Sequence, residues 1–331
     1  MTLRSTTISL CLLLAVVLTG CASQQAQSGR ICFYSTRDGN GEIYIMAPDG
    51  SSAQNLTNDA GEDELPSWSP DGKSIAFDSD RAGNQDIYVV DAQGGEARAV
   101  VQGPGDEWGA VWAPGGERIA FMRHVGANVD LFVVNEDGSG LTQITDSAEV
   151  DAWPAWSPDG MRIAYESDGQ VFITDADGGV ARQLTHASDG DYNVFPVWSP
   201  DGSRILFRSM RDGNWDLFVM NPDGSDQVNL TANAAEDIAG VWSRDGAQIV
   251  FASDRGGNLD VYVMNADGTA VTPLTSDPAD DGMPSYSPDG KRIVFVSGRG
   301  GDPDILVMNA DGHDQQNLTD NEADDYSPVW R

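Results

Sequence analysis

Trp68-Ser69-Pro70-Asp71-Gly72, followed closely by Ile75-Ala76-Phe77, decides the fold because it recurs. Trp156 to Gly160 leads into Ile163-Ala164-Tyr165, Trp198 to Gly202 into Ile205-Leu206-Phe207, and Trp242-Ser243-Arg244-Asp245-Gly246 into Ile249-Val250-Phe251. Two copies are degraded, at Trp112-Ala113-Pro114-Gly115-Gly116 and at Tyr286-Ser287-Pro288-Asp289-Gly290. Pro328-Val329-Trp330 supplies a seventh anchor. The anchors stand at 68, 112, 156, 198, 242, 286 and 330, a period of 44 broken by one interval of 42. A fixed period of this length means one supersecondary unit repeated.

Each unit reads as four short strands. Pro-x-Trp is strand a, and Ser-Pro-Asp-Gly is a tight turn in which proline fixes one dihedral and glycine supplies the positive one. Ile-Ala-Phe is strand b, and a loop such as Ser79 to Asp86 follows. Strand c, Ile87-Tyr88-Val89-Val90, is apolar on both faces and therefore covered on both. A second turn, cleanest at Asn265-Ala266-Asp267-Gly268, leads to a short polar strand d ending in Leu-Thr, as at Leu56-Thr57, Leu184-Thr185, Leu230-Thr231, Leu274-Thr275 and Leu318-Thr319. Four-stranded sheets at this spacing are blades of a β-propeller. Ile31-Cys32-Phe33 is a strand b with no strand a before it, and Pro328 to Trp330 is a strand a with nothing after it. The expectation is an all-β, seven-bladed propeller over 31–331, its first blade closed by one C-terminal and three N-terminal strands. Closure of this kind removes free sheet edges. Cys32, between two apolar residues of a strand, reads as a small buried hydrophobe.

Residues 1–20 read as a signal peptide: Arg4, then an apolar run from Ile8 to Leu18. Leu18-Thr19-Gly20-Cys21 resembles a bacterial lipobox, which implies cleavage before Cys21 and lipidation of its thiol. Ala22, rather than aspartate, resembles the sorting pattern of Gram-negative outer-membrane lipoproteins. The implied location is the outer membrane, facing the periplasm, or the outer leaflet of the cytoplasmic membrane in a cell without one. Residues 21–30, the lipidated cysteine and a short polar linker, span about 30 Å when extended.

Nineteen basic and 52 acidic residues give a net charge of −33. Such a surface repels nucleic acid and anionic lipid heads. Contact with the membrane is expected through the lipid alone, and the chain is expected to be a monomer.

Trp-Ser-Pro-Asp-Gly with Ile-Ala-Phe, Arg-x-Gly-Asn-x-Asp, Ile-Tyr-Val-Met-Asn and Leu-Thr resembles the WD-like repeat of the TolB family over residues 31–331. The resemblance implies a propeller of the bacterial envelope that binds a protein partner. TolB itself has an extra α/β domain before a six-bladed propeller, so a seven-bladed chain without that domain is TolB-like rather than TolB. Related propellers occur in prolyl-oligopeptidase-like peptidases, which need a Gly-x-Ser-x-Gly elbow that this sequence lacks. They occur also in oligogalacturonate lyases, which use a histidine-rich metal site. Only His124, His186 and His313 are present here, and His313 falls on the opposite face from the other two.

Five residues before each anchor stands Asp63, Glu107, Asp151, Asn193, Asp237, Asp281 or Asp325. The ring is expected at the mouth of the channel, on the face shared by the d–a and b–c loops. It reads either as a cation site, with calcium the candidate, or funnel for a basic peptide, or as acids paired to the loop arginines Arg37, Arg81, Arg211, Arg255 and Arg299. In the paired reading each arginine serves the acid of the next blade, so blade 4, which lacks one, would answer to Asn193. Aspartates 49, 137, 223, 267 and 311 suit turns better than calcium loops, since no bidentate glutamate follows. The loop Asp212 to Asp216 is a weak second place for calcium.

Departures from the repeat cluster in blades 3 to 5. Trp108, Trp153 and Trp215 are the tryptophans that are not anchors, and all fall in loops of one face. Blade 4 has a b–c loop four residues short, and the next d–a loop is two longer and holds Asp191 and Tyr192. The groove so formed, rimmed by Trp108, Trp153, Tyr192, Trp215, Glu107, Asp151 and Asp191, is expected to bind an envelope protein, a peptide or a glycan. The alternative reading of the same residues is loop packing. For the chain as a whole, a non-enzymatic recognition scaffold stands against a carbohydrate-binding or metal-dependent carbohydrate-active enzyme built on the ring carboxylates with His124 or His186. Replacing Cys21 with serine is expected to move the protein from the membrane fraction to the soluble one. A C21S protein still sedimenting with membranes would exclude the anchor.

Overall fold

The structure, a computed structural model, describes residues 29–331 apart from 187 and 189; Cys21 and the leader lie outside the described residues. Its strands form seven four-stranded sheets. Six take their strands in chain order. The remaining sheet places Asp325–Trp330 innermost, then Ile31–Ser35, Glu42–Met46 and Gln54–Asn55, so the expected closure is what the molecule adopts. In register, Ile31 faces Trp330 and Ser35 faces Asp325. The chain therefore enters the propeller on the a–b turn face.

The Ser-Pro-Asp-Gly turn is held by its own side chains. In blade 2 Gly72 N–H donates to the Ser69 carbonyl at 2.9 Å, Gly72 adopts φ 70°, and Asp71 Oδ1 accepts from Ser69 Oγ at 2.8 Å and Lys73 N–H at 3.1 Å. The anchor beside it reaches across blades. Trp112, Trp156 and Trp198 each donate their indole N–H to a strand a carbonyl of the preceding blade: Ser67, Val111 and Ala155, at 3.1 to 3.2 Å. Trp68 does the same to Val329 at 3.0 Å, which ties blade 2 to the closing strand, while the Trp330 indole N–H has no hydrogen-bond partner among the described residues. Trp330 is 1% exposed and packs with Val294, Val296 and Ile305 of blade 7 and Ile31 and Phe33 of blade 1. Cys32 is fully buried, as its setting implied, and burial pushes its thiol well up from the ordinary range.

Two details differ from expectation. In six blades strand d is only two residues long, as in Gln54–Asn55, and stops short of Leu-Thr or, in blade 3, of Ile144-Thr145. The threonine leaves the ladder because its hydroxyl takes over the pairing. Thr57, Thr145, Thr185, Thr231, Thr275 and Thr319 each accept from a strand c N–H at 2.8 to 3.1 Å. The inner strand is also bulged at one repeated place. Leu65, Trp153, Phe195, Ala239, Met283 and Ser327 all have φ between 50° and 57°, and Gly109 takes the same place in blade 3 at 69°. A left-handed conformation is costly for a side chain other than glycine and persists only where the surroundings over-determine it. Here the surroundings are the same ladder repeated.

Truncating Trp330 to alanine is expected to cost about 3–5 kcal/mol, the range for emptying a large aromatic site in a packed interior. Urea denaturation reads this out directly, and an unchanged midpoint would mean the closing strand contributes nothing.

Candidate functional site

The acids five residues before the anchors do not line an open mouth. Asp63, Glu107, Asp151, Asn193, Asp237, Asp281 and Asp325 are all fully buried. Nor do their arginines come from the preceding blade. Arg81 reaches Asp63 at 2.8 Å, Arg255 reaches Asp237 at 2.7 Å and Arg299 reaches Asp281 at 2.8 Å, each within its own blade. Arg211 donates to the Asn193 amide oxygen at 2.6 Å, and Arg37 meets Asp325 at 3.0 Å inside the closed blade. Each of the five also donates from Nε to the serine ending strand b, at 2.8 to 2.9 Å. The within-blade rule follows from register, since acid and serine face each other across strands a and b.

Blade 3 solves the same problem differently. Where the other blades have the serine it has Arg123, directly opposite Glu107, with Nε 2.9 Å from Oε1 in an ion contact too poorly aligned to be a hydrogen bond. Burial, opposed by Arg123 and aided by Asp86, pushes the Glu107 carboxyl up to about 7. Asp151 is the ring acid without an arginine. Both its oxygens are buried with no hydrogen-bond partner among the described residues.

Among the aromatic candidates, Trp108 lies against the exposed His124 at 4.9 Å with the rings tilted by 48°, and His124 Nδ1 stands 3.5 Å from Asp106. Trp153 meets the edge of Phe195 at 5.6 Å. Arg208 then lies over Phe195 at 4.9 Å and over Trp215 at 4.0 Å, which joins Trp153, Phe195, Arg208 and Trp215 into one file across blades 4 and 5. Tyr192 is 50% exposed and lies against Gly169, where an added Cβ would meet its ring at 2.6 Å. Trp108 and Trp153 both pack against the cluster between blades 3 and 4, so loop packing and surface presentation are combined in the same residues.

Phe195, Arg208 and Glu166 were not legible as site residues in the sequence. The signal was there: Phe195 occupies the bulge place of Trp153, and Arg208 stands where Ala252 and Val296 stand in blades 6 and 7. Arg208 Nε has no hydrogen-bond partner among the described residues, and burial lowers its guanidinium to about 10 against the nearby charges of Glu166 and Glu236. Burial raises Glu166 to about 7, with Arg208 opposing. A carboxylate and a guanidinium shifted by burial on the b strands of adjacent blades are the kind of groups that functional sites collect.

No described group of three or more His, Cys, Asp or Glu residues is placed to hold a metal ion. In the loop Asp212 to Asp216, Asn229 donates to both Asp212 and Asp216 at 2.9 Å. Aspartates 49, 137, 223, 267 and 311 each accept a turn N–H two residues on.

A closed ring of seven blades, cut from one repeated unit and most individual in the loops over blades 3 to 5, defines a propeller scaffold. The chain belongs to the TolB β-propeller (PD40) family, whose model matches residues 20–124, 99–207, 190–260 and 256–331. No curated protein sequence matches it. Among solved structures it is similar to TolB from Acinetobacter baumannii, with 20% identity, a TM-score of 0.61, and coverage of 92% of this chain and 66% of that one. It is similar also to an oligogalacturonate lyase in complex with manganese, with 19% identity, TM-score 0.69 and 85% of both chains. A puromycin-hydrolysing peptidase of Mycobacterium tuberculosis shares 13% identity at TM-score 0.72, over 93% of this chain and 54% of that one. These likenesses show the fold.

Asp78, in blade 2 and outside the loops over blades 3 to 5, gives the fold a pH signature. It is fully buried on strand b of blade 2, accepts from Gly109 N–H at 2.8 Å, and is held well above the usual carboxyl range by burial and by Glu64, against the lowering effect of that hydrogen bond. A carboxyl whose folded pKa is raised contributes stability that is complete below its unfolded value of about 3.9 and lost as pH rises through the folded value. Asp78→Asn is therefore expected to raise Tm more at pH 8 than at pH 4.5. Equal shifts at the two pH values would show that Asp78 does not titrate with folding.

Proposed function

We propose that the protein is a non-enzymatic recognition propeller of the bacterial envelope, tethered through a lipid on Cys21 and binding a partner protein or peptide over blades 3 to 5. The observation that carries this is the file Trp153, Phe195, Arg208 and Trp215, flanked by Tyr192 and Asp191, on the one face where the repeat is broken. Rigid aromatic side chains and arginine are the residue types that dominate binding hot spots. Entry of the chain on the a–b turn face turns this file away from the tether. The net charge of −33 favours a basic partner segment. Glu166, raised to about 7 beside Arg208, favours a second reading as a carbohydrate-active enzyme working by acid–base chemistry.

The partner captured from solubilised envelopes is expected to lose about 2 kcal/mol of affinity with Trp153→Ala or Trp215→Ala, with little change in Tm. Met283→Ala and Leu259→Ala, at the matching positions of blades 7 and 6, serve as controls. Binding of a basic segment should also weaken as salt shortens the screening length to about 8 Å. Equal losses from the controls would place the site elsewhere. Salt-independent binding of a glycan, or its turnover abolished by Glu166→Gln, would favour the second reading.

A further inference from the structure

Six blades show how this molecule binds a guanidinium, and one blade holds the same receptor without it. In blade 2, Arg81 donates from Nη2 to both oxygens of Asp63 at 3.0 and 2.8 Å, and from Nε to Ser79 at 2.8 Å. It lies 5.4 Å over Phe77 and 4.7 Å over Tyr88, rings that pack at 5.9 Å and 29°. Blades 1, 5 and 6 repeat this arrangement over Phe33 and Tyr44, Phe207 and Phe218, and Phe251 and Tyr262. Blade 7 keeps it over Phe295, and blade 3 places Arg123 over Phe132.

Blade 4 retains three of the four parts. Asp151 is the acid, Ser167 stands opposite it, and Tyr165 and Phe172 pack at 5.8 Å and 32°. The residue 18 positions after Asp151, where Arg81 follows Asp63, is Gly169 in a two-residue turn. Phe172 is only half-buried, whereas its counterparts Tyr44, Tyr88, Phe132, Phe218 and Tyr262 are buried. At the next interface the charges were removed together: Asn193 replaces the ring acid, Gln170 replaces the acid opening strand c, and the two amides bond at 3.1 Å. At the Asp151 interface both acids remain. Asp130 of blade 3 sits close enough for Asp151 to add to the upward push of burial on its carboxyl. A buried carboxylate pair with no cation is the arrangement that most needs one.

We propose that the slot formed by Asp151, Ser167, Tyr165 and Phe172 is a receptor for an arginine side chain supplied by the partner. The guanidinium takes the place that the chain's own arginine holds in the other blades, with two N–H groups on Asp151, one on Ser167 and its face on the aromatic pair. Tyr192, exposed and lying against Gly169, is the side chain that a guanidinium entering from solvent would displace. The proposal deepens the recognition reading and rests on it for the partner being a peptide segment.

The test titrates the full chain at low salt with acetyl-Gly-Arg-Gly-amide and with its citrulline counterpart, which has the same shape and no charge. The arginine peptide is expected to bind at least about tenfold more tightly than the citrulline peptide, and Asp151→Asn should remove the difference. Ser167→Arg puts a guanidinium in the slot from the position Arg123 uses in blade 3, and is expected to raise Tm and abolish peptide binding. Should that variant fail to fold, the Asp151→Asn and citrulline comparisons still decide. Equal binding of the two peptides, arginine binding that survives Asp151→Asn, or calcium alone binding at a site lost with Asp151→Asn would overturn the proposal. Failure of the peptide with partner capture still lost in Trp215→Ala would sink the slot and leave the recognition reading standing. Peptide binding with capture unaffected by Trp215→Ala would do the reverse.

Discussion

A carboxylate shut away from water must find a positive charge, and the propeller meets that demand in five of its seven blades. The ring acid, the arginine that answers it, the serine that orients the guanidinium and the aromatic pair beneath form one latch. The latch ties the inner edge of a blade to its b–c loop. Those loops are in turn tied to the next blade, as where Asn40 donates to the Gly61 carbonyl at 2.6 Å and Asn84 to that of Gly105 at 2.7 Å. Indoles on the opposite side hook blades 2 to 6 each to the one before it. Loss of one latch therefore loosens a loop, a blade edge and a neighbour together, and changes at the site are bounded by what the ring tolerates.

Much of the architecture was legible because it is periodic. The Trp-Ser-Pro-Asp-Gly anchors determine the blade count, and the missing strand a before Ile31 determines the closure. The wiring of the buried acids was not. Spacing alone places Arg81 between Asp63 and Glu107, and only the register of strands a and b assigns it to Asp63. Arg123 escaped for a similar reason, since it leaves the loop position empty and acts from within the strand. Phe195 and Arg208 were hidden by the bulge. A left-handed residue redirects the side chains around it, so neither alternation nor repeat position says which of them will meet.

Five of the six ring acids are paired to arginines, and the exception among them acquires its meaning from the others. Similar scaffolds carry a lyase and a peptidase as well as TolB, each below 25% identity to this chain, so the likenesses show the fold, and what is particular to this chain is what its own loops and strands present. Here that is a set of departures in adjacent blades: a shortened turn at Asp168 and Gly169, a buried acid without its arginine, and an arginine held between two aromatic rings.

Closure through the last strand has a kinetic side. Ser35 and Asp325 are partners in register, yet one is among the first described residues to be synthesised and the other among the last. Until Asp325 to Trp330 appear, the strand Ile31–Ser35 has a bare inner edge and Trp68 lacks the Val329 carbonyl that its indole uses. Contacts of such long sequence separation form slowly, because the entropy of the intervening loop is lost before they return anything. An unfinished ring of this kind offers its first and last strands to neighbouring chains as readily as to each other. The interval between the sixth blade and the final tryptophan is when this protein is most in need of protection.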